Sequence, residues 1–248
     1  MQQYFIDTSI QIGDVIELNK EQSHHIAHVM RMKTHEQIRI VDVSAHIFLA
    51  SVEFQERKVF AKIIESIEDK TKNNVHITLA QGLIKGDKWD YLLQKSAELG
   101  VDSILPFVSS RCVVKTKDEK LDKKLMRWNK ILMEASEQCK RSTLVDLHEP
   151  IAFKNLLYKE ADLKIIAYED ADMVSERLSD VLKQHPNVTN ILVVVGSEGG
   201  FAKEEVDELL AHGYHRVSLG ARILRAETAA LSLLATIPFF YDMEGGKE

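Results

Sequence analysis

NILVVVGSEGGF, residues 190–201, joins a run of five apolar side chains to a turn holding three glycines. A strand with one face in water alternates apolar and polar residues. An unbroken apolar run means that both faces are covered, the pattern of a strand inside a parallel sheet with helices on either side. LKIIAY (163–168) is a second such run, and VHITLAQ (75–81), SILPFV (103–108) and YHRVSL (214–219) read as further strands. Helical spacing falls between them. Over 87–99, Trp89, Leu92, Leu93 and Leu99 lie near one face, with Gly100 just past the end. Over 121–139, Leu121, Leu125, Trp128, Leu132, Ala135 and Cys139 recur every three or four residues. Shorter helices are predicted over 173–182 and 202–211, and a last one over 227–240. Strands alternating with helices predict an α/β domain built on a parallel sheet.

Upstream the pattern is different. VIEL, QIRIVDV, HIFLASVEF and KVFAKIIESI are short runs rich in Val, Ile and Phe, interrupted by one helical stretch over 21–31. Short strands in close succession predict a small β-barrel. EDKTKNN, 68–74, is polar and aperiodic and reads as a linker. The chain therefore divides into a barrel over residues 1–70 and an α/β domain over 75–245.

Composition bounds the function classes. With 45% hydrophobic and 28% charged residues the chain is an ordinary globular protein. Its first twenty residues carry Asp7, Asp14 and Glu17 and no apolar block, so they are not a secretory signal. The longest nearly apolar stretch, 229–241, is short of the roughly 20 residues a membrane span needs. Cys112 and Cys139 form no C-x-x-C pair and read as reduced thiols of a cytoplasmic protein. Net charge is −6, yet residues 111–141 hold ten basic side chains against five acidic ones. Such a run is either a solvated helix face or a footprint for nucleic acid.

Three strand ends carry the candidate chemistry: AYED (167–170), VGSEGGF (195–201) and LGARILRAETAA (219–230). Ligands of open parallel sheets bind beyond the carboxyl ends of the strands. Glycines there let backbone approach a ligand, and they equally serve a plain turn. The spacing is neither the dinucleotide fingerprint nor a phosphate loop. Arg222 and Arg225 suit an anionic partner, and Glu227 in a first helical turn is also ordinary capping. His24 and His28 have the i, i+4 spacing of a zinc pair, but no third ligand stands near, so no metal is expected.

VGSEGGF followed by LGARILRAETAA closely resembles the signature of the ribosomal RNA small subunit methyltransferase E family, of the SPOUT class. Further similarity lies in Gln94-Lys95, Glu98-Leu99-Gly100-Val101, Pro106 and Arg111, in Trp128, Glu134-Ala135, Glu137-Gln138 and Arg141, and in His25 with His28-Val29-Met30-Arg31. The chain departs from the family pattern at Ser197, where proline is usual, at Cys139 for serine, at Gln3 for arginine, and at His35-Glu36 for a Gly-acidic turn.

The resemblance implies a PUA-like β-barrel followed by a knotted parallel-sheet domain with a trefoil knot. It implies an S-adenosylmethionine-dependent enzyme that methylates N3 of a uridine near the 3′ end of 16S ribosomal RNA in the small subunit, acting as a homodimer without metal or membrane. On this reading the cofactor is held by Tyr168, Glu169, Val195, Gly196, Glu198, Gly199, Gly200, Leu219, Gly220, Ile223, Leu224, Arg225 and Thr228. Arg225 steadies the uridine as it gains anionic character. Glu198 or Glu227 takes its proton, and the sequence does not choose. RNA contacts fall on His25, His28, Arg31, Arg111, Lys123, Lys124, Arg127 and Arg141. Two alternatives stay open: a SPOUT enzyme acting on another RNA, and a non-catalytic RNA-binding module.

Overall fold

A computed structural model describes residues 1–56, 58–113, 121–169 and 175–245. The chain forms two compact units. One comprises Met1–Lys72 with Ser136–Thr143, and the other Asn73–Ala135 with Leu144–Glu248. The sequence reading had left 136–143 wholly with the second domain.

In the first unit, β1 (Gln3–Phe5), β2 (Val15–Glu17), β3 (Gln37–Val41), β4 (Ile47–Gln55) and β5 (Lys58–Ile67) form a sheet of order β1-β3-β4-β5-β2. β1 runs parallel to β3, and the other pairs are antiparallel. Val59, Ala61 and Ile63 are buried on alternate positions of β5, as a pleated strand with one covered face requires. A register shift at Leu49/Ala50 interrupts the long β4–β5 ladder, the kind of irregularity that bends a strand.

The predicted helix over 21–31 is shorter and less regular. α1 (Lys20–His24) starts from Asn19, whose side chain forms a reciprocal capping box with Gln22. A single π turn, His25–Val29, follows, and Arg31 lies outside it with φ at 52°. Segment 136–143 joins this unit through Gln3, whose Nε2 donates to the Arg141 carbonyl at 2.7 Å while its Oε1 accepts from Arg39.

The second unit is organised around β6 (His76–Gly82), β7 (Ser103–Val108), β8 (Asp146–Leu147), β9 (Ile151–Ala152), β10 (Leu163–Ala167), β11 (Glu176–Arg177), β12 (Asn190–Val195) and β13 (His215–Ser218). Its sheet has the order β11-β13-β10-β12-β6-β7-β8, with β9 beside β7, and every pair is parallel. Ile191, Val193 and Val195 of β12 enter one apolar cluster, and Leu192 and Val194 enter another on the opposite face. Each fully buried side chain of this kind contributes about 1.5–3 kcal/mol. The apolar run of β12 is thus explained by two cores.

The first core is covered by α2 (Asp87–Glu98), α3 (Leu121–Cys139), α4 (Leu178–Gln184) and α6 (Ala226–Gly245). Trp89 and Trp128 meet there with ring centroids 5.1 Å apart. The second core is covered by α5 (Lys203–Ala211) and a 3-10 turn, Phe153–Leu156. The helix expected over 173–182 begins later, at Leu178, after the short β11. Its first two positions lie outside the described residues.

The Asp162 carboxylate, at the entry to β10, accepts from the backbone of Thr189 and Asn190 and from the Thr189 hydroxyl, at 2.8–2.9 Å. These bonds, led by that from the Thr189 N–H, hold its pKa below the ordinary 3.8. A depressed carboxyl stabilises the fold fully above the unfolded value, and that contribution disappears as pH falls through the folded value. Asp162→Asn should therefore lower the urea midpoint at pH 7. The gap to the parent should narrow as pH drops below 3.8. An undiminished gap at low pH would assign the effect to shape instead.

Candidate functional site

β10, β12 and β13 are neighbours, with Ala167 in register with both Val195 and Val217. The three loops singled out in the sequence therefore leave adjacent strands at the same, carboxyl end. They enclose a cavity of about 620 Å³, within the range of small-molecule sites. Tyr168, Glu169, Val195, Gly196, Glu198, Gly199, Gly200, Leu219, Ile223, Leu224 and Arg225 all line it. Gly220 and Thr228 do not. Gly220 has φ at 115°, a conformation natural to glycine, so its place in the loop is conformational. Thr228 is exposed, because the helix turns it away from the cavity that Ala226, Glu227 and Ala229 face.

The lining is apolar where Ala167, Val195, Val217, Leu219 and Leu224 meet, and charged at the rim. Phe201, 1% exposed, stacks on Phe107 with centroids 6.0 Å apart. A Cβ on Gly196 would stand 3.1 Å from the Phe201 ring and 3.2 Å from Gly200 backbone, so glycine is what fits there. Gly199 lies against Arg111, whose carbonyl would be 2.6 Å from an added Cβ. The Glu205 carboxylate caps α5 by accepting from Ala202 N–H at 2.9 Å and reaches Ser110 N–H at 2.8 Å. It thereby ties the end of the glycine loop to the segment that carries Arg111.

Two lining residues lie outside every segment and position that the sequence reading singled out for the site: Lys88 and Val217. Lys88 pairs with Glu227 at 3.3 Å across α2 and α6. Its signal is long-range, and nothing in its own segment marks it. Glu227 Oε2 and Ser197 Oγ are buried in the wall without a hydrogen-bond partner among the described residues. Glu198 is exposed and accepts from Lys85 N–H at 2.9 Å. Three carboxylates (Glu169, Glu198, Glu227) thus share the site with three cations (Lys88, Arg111, Arg225).

The expected RNA contacts are dispersed over the two units. In the first, His28 and Arg31 are exposed, and half-buried His25 shares a 2.8 Å hydrogen bond with the Tyr4 hydroxyl. Burial, with Glu137 nearby, raises the pKa of that tyrosine. Arg141 corrects the sequence reading: it is 7% exposed, its guanidinium donates to Thr143, and it is built into the first unit. In the second unit, Arg111 stands at the cavity and Lys123 is exposed on α3, with Lys124 half-buried beside it. Arg127 is engaged by Asp90. Lys115, Lys117 and Lys120 lie outside the described residues. Among the described residues no group of three or more His, Cys, Asp or Glu is placed to hold a metal, and no helix is long and apolar enough to cross a membrane.

Comparison with known proteins places this geometry. A family model described as an RNA methyltransferase domain matches residues 71–238, and one described as an RNA methyltransferase PUA domain matches 18–64. The chain is 34% identical to Ribosomal RNA small subunit methyltransferase E of Bacillus subtilis, over the whole of both proteins. A Neisseria gonorrhoeae protein of the same name, solved bound to S-adenosyl methionine, superposes with a TM-score of 0.88 at 29% identity, covering 97% of this chain and 98% of that one. A Legionella pneumophila protein solved with the bound cofactor SAM gives 0.86 at 32% identity, covering 96% and 97%.

Proposed function

Because the chain belongs to the ribosomal RNA small subunit methyltransferase E family, we propose that its cavity holds S-adenosylmethionine and that it methylates N3 of a uridine near the 3′ end of 16S ribosomal RNA. The observation that carries this reading is the meeting of three adjacent strand ends around one cavity. The site suits the cofactor: an apolar slot for a purine, backbone of a glycine loop beside it, and carboxylates facing a sulfonium cation. Bound there, the cofactor supplies a methyl group already activated by positive charge. The trefoil knot belongs to the same proposal. After β13, α6 returns to pack on β12 and β6, an arrangement compatible with a knotted chain.

The protein's own residues then have three tasks. The strand-end loops hold the reactants in line, and such positioning supplies roughly 7–11 kcal/mol of the barrier. Arg225, exposed at the rim, steadies the base as its N3 loses a proton. Glu198 receives that proton: it is exposed on the loop with one oxygen left open, whereas Glu227 is turned to Lys88 and its Oε2 is closed off from solvent. Calorimetric titration with S-adenosylmethionine tests the reading. Saturable binding with one site per chain supports it, and no binding leaves an RNA-binding module without cofactor.

RNA contacts are proposed on each unit, through His25, His28 and Arg31 in the first and Arg111, Lys123, Lys124 and Arg127 in the second. Each lysine–phosphate contact releases counterions, so affinity falls with salt. Lys123→Gln with Lys124→Gln should weaken RNA binding and lower the log–log salt slope by about 1–2, with cofactor affinity unchanged. An unaltered slope would make α3 a solvated surface. We further propose a homodimer, to which Phe239, 65% exposed on α6, contributes apolar surface. Light scattering should then return twice the 28.2 kDa of one chain, and a monomer mass at micromolar concentration would refute it.

A further inference from the structure

Gln81 is the last side chain of β6 before Gly82, and it is fully buried. It sits in register with Val195, the last residue of β12, where the glycine loop departs. Its amide nitrogen donates to the carbonyls of Gly82 at 3.0 Å and Gly196 at 2.9 Å, with a longer contact of 3.4 Å to Val195. Its Oε1 is buried without a hydrogen-bond partner among the described residues. An amide oxygen enclosed this way gives up its hydrogen bonds to water and gains none in return, a cost that an apolar side chain of the same shape would not carry. The placement is therefore not explained by packing.

The compensating effect lies in the loop. A peptide group is planar and trans, so its carbonyl and N–H point in opposite directions. Drawing the Val195 and Gly196 carbonyls toward Gln81 turns the N–H groups of Gly196 and Ser197 the other way. Both residues line the cavity.

We infer that Gln81 is a positioning residue, which fixes the direction in which the glycine loop presents its N–H donors to acceptor atoms of the cofactor. The inference rests on the proposed cofactor site. Gly82, beside it, sets how close the loop approaches, and Gln81 sets how the loop is rotated.

The test uses the whole chain, S-adenosylhomocysteine as probe, and calorimetry between pH 5 and pH 8. Gln81→Met keeps the length and volume and removes the donors; it should weaken binding about tenfold. Gln81→Glu also keeps the volume. It should bind weakly at pH 8, where a carboxylate faces three carbonyls, and regain affinity toward pH 5, where the protonated acid donates one hydrogen bond. Thermal melts establish that each variant is folded, and Gln81→Glu supplies the decision if Gln81→Met is not. Parent-like affinity in folded Gln81→Met, or a Gln81→Glu loss that does not change with pH, would overturn the inference. Failure of the parent protein itself to bind the probe would instead remove the cofactor reading, and the inference with it.

Discussion

Gly82→Val should weaken binding of S-adenosylhomocysteine by about a hundredfold while the protein remains folded. A Cβ on Gly82 would stand 2.5 Å from the Ser197 nitrogen and 2.8 Å from the Gly196 carbonyl carbon. Both are backbone atoms, so no side chain can rotate aside and the loop itself must move. Overpacking of this sort costs about 1–3 kcal/mol of stability. A displacement near 1 Å is enough to spoil a site whose contacts are backbone groups. Gly199 and Gly220, two other glycines of the expected cofactor loops, invite the same substitution. Gly199 fits, since a Cβ there meets the Arg111 carbonyl, whereas Gly220 has open space and would act through its positive φ alone. Calorimetry alongside a thermal melt separates the outcomes. Unchanged affinity in a folded Gly82→Val protein would show that the loop is not the cofactor's seat.

Arg225→Ala should reduce methyl transfer by about 10²–10³-fold and leave cofactor affinity within about threefold. Arg225 is exposed at the cavity rim, and its carbonyl accepts the Ala229 N–H at 2.8 Å. That backbone bond survives the substitution, so the start of α6 stays in place. What is lost is a cation facing a base that becomes anionic, an interaction that strengthens as the reaction proceeds. Arg225→Lys should recover part of the rate, because it restores charge without the planar fork of donors. Single-turnover kinetics with saturating RNA measure both variants. A rate within fivefold of the parent for Arg225→Ala would move the stabilising role to Arg111 or Lys88.

Much of the catalytic unit is readable in the chain, and the reason is local. β12 is buried on both faces, so its sequence is apolar throughout. α2 and α3 each pack one face on a core, so their apolar residues repeat at helical spacing, and both limits of α2 and the end of α3 agree with the structure to within a residue. Strand ends followed by glycine are also local, and 11 of the 13 expected cofactor residues line the cavity.

What escaped the reading depends on residues far apart in sequence. β8 and β9 have two residues each, too few to show a period. Lys88 acquires its place from Glu227, 139 positions away. Arg141 counts as one more cation in a basic run, and only its packing beneath Gln3 shows it to be buried. Gly82 reads as the end of a strand, and its use becomes visible when the glycine loop lies against it.

The nucleotide that carries the methyl group is the most direct test of the central claim. Small ribosomal subunits from cells lacking this protein should be incubated with it and S-adenosylmethionine, and their RNA digested and mapped by mass spectrometry. One uridine near the 3′ end of 16S ribosomal RNA should gain a single methyl group on N3, with assembled subunits reacting faster than naked RNA because the base must already be held exposed. Methylation at another position, on another atom, or on no nucleotide of the small subunit would contradict the assignment.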